Sequence, residues 1–171
     1  MKVLITYFSQ TGNTEKIAKG IHEEAALHSE AHLVPLVELS PDMLEGYDAM
    51  IIGSPLHSAT LAEPVKACLE SMTPSSIKCM AGFITHFAPA YPDQDMKGFA
   101  EPLQAACAKN NMEYMGTFDC QGYLTDNLHG MVQEKLGLTD EKWEEMVTQM
   151  TGRPNDEDVK SAKAFVRALL T

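Results

Sequence analysis

Residues Ser9 to Thr14 read SQTGNT, a run that gathers three hydroxyls, two side-chain amides and a glycine, with no lysine, arginine or acid. It stands between the apolar run KVLITYF and a stretch with helical periodicity. A helix N-terminus offers unpaired amide hydrogens and the positive end of the macrodipole. Ser9, Thr11 and Thr14 add hydroxyl donors, Gln10 and Asn13 add amide donors, and Gly12 lets the backbone come close. Such a nest suits a phosphate dianion and needs no formal positive charge. A capped helix after a polar turn is the plainer alternative, and TGNT alone would serve it.

Rival phosphate chemistries lack their residues. The chain has no G-x-x-x-x-G-K-[ST] and no G-x-G-x-x-G after its first strand. No cysteine nucleophile sits in the first loop, and the third strand ends in Gly53 rather than in a phosphate-accepting aspartate. His57 and His86 fall at strand ends, where an imidazole can donate a hydrogen bond or relay a proton near neutral pH. A loop histidine, exposed or bonded to backbone, is the competing reading of each. His22 and His28 lack ligand spacing and read as solvent-facing. Cys68, Cys79, Cys107 and Cys120 form no C-x-x-C and read as reduced, packed thiols. The run Asn155–Asp158 reads as a helix start rather than a metal site.

What must position these residues is an alternation of short apolar runs and amphipathic stretches, the pattern of a parallel sheet covered on both faces. Strands are expected at Lys2–Phe8, Ala31–Leu39, Asp48–Pro55 (closing at Gly53), Met80–His86 and Glu113–Asp119. Pro35 marks the second as an edge strand. Helices are expected at Thr14–His28, Leu61–Met72 and Phe99–Asn110, the last with Pro102 in its first turn. Three more fill the tail: one capped by Thr125 and stopped by Gly137, one capped by Thr139, and one starting near Asn155. Right-handed crossovers favour an α/β, doubly wound five-stranded parallel sheet of order 2-1-3-4-5, with extra C-terminal helices. Ligands of such sheets bind beyond the strand carboxyl ends where the winding reverses, which selects the loops 9–13, 54–61 and 86–95.

The 171 residues suit one domain spanning 1–171. A net charge of −11 argues against nucleic acid and anionic membrane surfaces as partners. No window approaches the roughly 18 apolar residues of a membrane span, so no membrane insertion is expected and the cytoplasm is the expected compartment.

YFSQTGNTEKIA resembles the phosphate fingerprint of flavodoxins, [ST]-x-T-G-x-T between first strand and first helix. IIGSPLHSATLAEPVKACLE is similar to their second flavin loop, and TGRPNDEDVKSAKAFVRAL to the closing helix of single-domain flavodoxin-like proteins. The resemblance implies a flavodoxin-like fold and FMN as cofactor. It implies that Ser9, Gln10, Thr11, Gly12, Asn13 and Thr14 hold the phosphate. Ser54, Pro55, Leu56 and His57 would border one side of the flavin ring; His86, Phe87 and Tyr91 would line the other. It also implies a negative setting that disfavours the anionic reduced flavin. The chain departs from flavodoxins in three ways: its one tryptophan, Trp143, lies in the tail, no glycine stands between Ser54 and Leu61, and the extra helices between Cys120 and Pro154 have no counterpart in the smallest flavodoxins. The expected role is a flavoprotein in electron transport, moving electrons to a redox partner protein or small electron acceptor. An NAD(P)H-dependent quinone or flavin oxidoreductase of the same fold is one alternative; a cofactor-free binding module is another.

Overall fold

The chain runs β1 (Lys2–Tyr7), α1 (Asn13–Ala25), β2 (Glu30–Pro35), β3 (Ala49–His57), β4 (Thr60–Leu61), α2 (Glu63–Ser71), β5 (Cys79–His86), α3 (Lys97–Lys109), β6 (Glu113–Gln121), α4 (Asp126–Leu136), α5 (Asp140–Met150) and α6 (Asp156–Leu170). The structure is a computed structural model describing residues 1–57, 60–88 and 97–171. Five strands pair in parallel in the order β2-β1-β3-β5-β6, and the short β4 folds back antiparallel on the end of β3. This is the expected doubly wound order, its fourth and fifth strands being β5 and β6.

Alternation along β1 explains why a continuous apolar run is needed. Val3, Ile5 and Tyr7 face one core, with Ile17 and Ile21 of α1 and Ala162 and Val166 of α6. Leu4 faces the other, with Val65 and Leu69 of α2 and Leu103 and Ala106 of α3. Both faces of the central strands are therefore closed to water, and only the strand ends are left to act.

Several boundaries differ from expectation. The edge strand β2 stops at Pro35 and continues as a 3-10 turn, Leu36–Glu38, because proline has no N–H to carry the ladder on. β3 runs on to His57, two residues beyond its parallel pairing, since Leu56 and His57 pair with Leu61 and Thr60 of β4. α1 closes at Ala25, where bonds from Leu27 to Glu24 and His28 to Ala25 tighten the chain into a turn. Pro102 lies in the second turn of α3, not the first, at the loss of one helical hydrogen bond. β6 continues to Gln121, which puts Cys120 inside the strand as a buried thiol whose pKa burial pushes up.

The tail caps are largely as read. Thr139 accepts from Lys142 N at 3.4 Å. Asn155 Oδ1 accepts from Asp158 N at 3.2 Å while Asp158 returns the contact to Asn155 N at 2.7 Å. Gly137 ends α4 in the left-handed region, whereas Thr125 precedes α4 without a side-chain cap bond. Among the described residues no helix is long and apolar enough to cross a membrane.

Candidate functional site

At the β1–α1 junction the backbone reverses through Gly12, whose φ of 91° lies in the left-handed region. A Cβ there would meet nothing within 4 Å, so glycine is required by the backbone conformation and not by crowding. Gly12 N donates to Ser9 Oγ at 3.2 Å, and Lys16 N reaches Gly12 O at 2.9 Å to begin the helix. The amides of Asn13, Thr14 and Glu15 fall in the first turn, ahead of any intrahelical acceptor. Gln10 and Thr11 are exposed beside them.

Two of the expected donors are already engaged. Asn13 Nδ2 donates to Tyr123 O at 2.8 Å, beyond the end of β6. The close fit continues at Gly122, where a Cβ would stand 2.7 Å from the same nitrogen. Thr14 Oγ1 lies 2.8 Å from Thr85 Oγ1, both buried. One hydroxyl of that pair donates to the other, and the second keeps a hydrogen to give.

On β3, Ser54 is also spent on the fold. Its hydroxyl donates to Pro55 O at 2.8 Å and accepts from Ala62 N at 2.9 Å, fastening the segment that leads into α2. Pro55 and Leu56 are half-buried beyond it, and His57 is exposed. At the end of β5, His86 is buried with both ring nitrogens occupied: Nδ1 lies 3.0 Å from Ala88 O and Nε2 lies 3.0 Å from Asp119 Oδ2. The end of β6 and the residue after it reach across, Gln121 Nε2 to Phe87 O at 2.8 Å and Gly122 N to His86 O at 2.7 Å. Tyr91 lies outside the described residues.

These ends meet in one cleft. Ser9, Gln10, Thr11, Asn13 and Thr14 line it from the first loop; Pro55, Leu56 and His57 from β3; His86 and Phe87 from β5 and its end. Gly12 and Ser54, although adjacent, do not line it. Sequence reasoning missed the rest of the wall: Thr85, and Gly122 to Thr125 with Leu128. The carboxyl-end rule could have found Thr85 and the segment after β6, but Leu128 carries no signal beyond its place in a helical stripe. Among the described wall residues none is Lys, Arg, Asp or Glu. The enclosed part measures about 110 Å³, below the roughly 300 Å³ of a full small-molecule pocket, so a mononucleotide would seat only part of itself within it. A larger groove of about 440 Å³ runs past Leu36, Leu44 and Met72, but among the described residues its one ionisable wall residue is Cys68, whose pKa burial pushes up. Size alone does not make that groove the site.

The profile of the flavodoxin domain matches residues 4–167. The chain belongs to the flavodoxin domain family. This flavodoxin domain is 29% identical over 171 residues to an uncharacterised protein of Methanocaldococcus jannaschii, covering 99% of each. It is 25% identical over 177 residues to the flavodoxin-like domain-containing protein BilS of Clostridioides difficile, covering 99% of this chain and 97% of BilS. Flavodoxin 2 of Bacillus cereus superposes with a TM-score of 0.65 at 20% identity, over 98% of this chain and 97% of that one. General stress protein 14 of Treponema denticola, solved in complex with FMN, superposes at 0.62 with 13% identity over 99% of both chains. At those identities the two structures show the shared flavodoxin fold.

Proposed function

We propose that this flavodoxin domain binds FMN in the cleft and passes electrons between a reductant and a partner protein or small acceptor. The observation that carries the reading is the meeting of first-turn amides of α1 with Ser9, Gln10 and Thr11 in one hollow with His57, His86 and Phe87. Neutral donors at a helix N-terminus suit a phosphate, and among the described residues the cleft wall offers no lysine or arginine to take their place. Asn13 and Thr14 act chiefly through their backbone amides, since their side chains bind Tyr123 and Thr85. Pro55, Leu56 and His57 would flank one side of the ring, His86, Phe87 and Tyr91 the other. Leu56, Phe87, Leu124 and Leu128 would keep water from the bound group. FMN, when bound, supplies the redox chemistry. That a protein of the same fold holds FMN supports the choice of ligand. The free thiols, two of them buried, suit the reducing cytoplasm, where we place the protein.

Flavin-free protein mixed with FMN and desalted should stay yellow and show a flavin spectrum altered by binding. A colourless product would remove the reading and leave a cofactor-free module. Rapid bleaching of the bound flavin by NADPH alone would replace the carrier by a reductase.

A further inference from the structure

Among the described residues of the cleft wall the ionisable side chains are His57, His86 and Tyr123. His57 is exposed and the Tyr123 hydroxyl donates to Asp126, so only His86, at 5% exposure, is buried there. What surrounds its ring determines where its protons sit. The Ala88 carbonyl facing Nδ1 can only accept, and so can an ionised Asp119 carboxylate facing Nε2. Two acceptors on opposite edges require an N–H on both nitrogens.

We propose that His86 stands in the cleft as an imidazolium, held in that form by Ala88 and Asp119, and that its charge favours the reduced, negatively charged form of the bound flavin. The charge assignment rests on the contacts of Nδ1 with Ala88 O and of Nε2 with Asp119; the effect on flavin rests on the FMN reading. Asp119 is not part of the cleft wall, so the ion pair presents its positive end to the cleft. Because the His86 ring is buried, its charge acts more strongly than it would in solution. It opposes the repulsion that an acidic protein would otherwise impose on a reduced flavin. Asp119 is a positioning residue in this scheme: it acts through the ring it holds. A purely structural role, in which the contacts only pin the strand ends together, would leave the flavin's redox balance unmoved.

The experiment has two arms. Long-range nitrogen–proton NMR on the flavin-free protein at neutral pH should find both His86 nitrogens protonated in wild type, and one of them unprotonated in Asp119→Asn. In the FMN-loaded protein, His86→Gln should reduce the preference for reduced over oxidised flavin at least tenfold, seen as a midpoint potential lower by about 30 mV for the two-electron couple. A neutral His86 ring in wild type overturns the proposal whether or not FMN binds. Protonated nitrogens with an unmoved potential in His86→Gln overturn the flavin half, since the charge would then not act on the cofactor. Wild type that takes up no FMN removes the cofactor reading and the flavin half with it, and the NMR arm still decides the charge.

Discussion

Asn13 donates through its side-chain amide to the carbonyl of Tyr123, 2.8 Å away in space and 110 residues away in sequence. The contact ties the first loop to the segment that leads from β6 into α4, and Gly122 leaves room for it. Asn13→Ala should cost about 1 kcal/mol for the lost hydrogen bond. Gly122→Ala should destabilise as well, because the new methyl would press on the Asn13 amide. The two effects should not add: in Asn13→Ala the added methyl meets less, so the Gly122→Ala penalty should shrink. Urea unfolding of the two single variants and the double variant measures the coupling, and strict additivity would contradict the contact.

Gly12 tests backbone conformation apart from crowding. With φ at 91° and open space around the site of a Cβ, Gly12→Ala should destabilise by about 1–2 kcal/mol, the cost of a left-handed L-residue. Flavin affinity should fall with it as the first-turn amides shift. An unchanged unfolding midpoint would show that the turn relaxes without loss.

The hydroxyl pair Thr14–Thr85 should behave as a unit. Thr14→Val leaves a buried Thr85 oxygen without its partner and should cost about 1–3 kcal/mol. Adding Thr85→Val should recover part of that loss, because two apolar groups of the same shape leave nothing unsatisfied. Thermal unfolding of the three variants checks the order.

Acid should weaken the α1–α6 contact through Glu24. This buried carboxylate accepts from Arg167 Nε at 2.7 Å and lies 3.0 Å from His28 Nε2. The Arg167 guanidinium, with His28 beside it, holds the Glu24 pKa down to about 2. A carboxyl whose folded pKa is depressed contributes its stability above the unfolded value, and loses it as pH falls through the folded one. Unfolding free energy should therefore decline between the ordinary glutamate range and about pH 2. Glu24→Gln should flatten that acid limb in denaturant titrations across pH. An acid limb of equal slope in the variant would assign the loss to other carboxylates.

Strands whose side chains meet a core on both faces, such as KVLITYF, announce themselves by continuous hydrophobicity, and Thr139 and Asn155 announce helix starts by the atoms they offer. The two residues of β4 are too short to have a period, and their pairing depends on where β3 happens to end. Pro102 misled because tertiary packing of α3 outweighs one missing backbone hydrogen bond. In the site, SQTGNT and the two strand-end histidines were legible from residue type and position. The engagement of Asn13 by Tyr123, Thr14 by Thr85 and His86 by Asp119 was not, because each joins segments that only the sheet order brings side by side.

The most direct test compares FMN with riboflavin, which differs by the phosphate alone. Titrating the flavin-free protein while following quenching of flavin fluorescence should give saturable FMN binding at one site. Riboflavin should bind at least about a hundredfold more weakly, since hydrogen bonds to a charged group contribute about 1.5–3 kcal/mol each. Equal affinity for the two flavins, or no binding of FMN, would contradict a phosphate held at the N-terminus of α1.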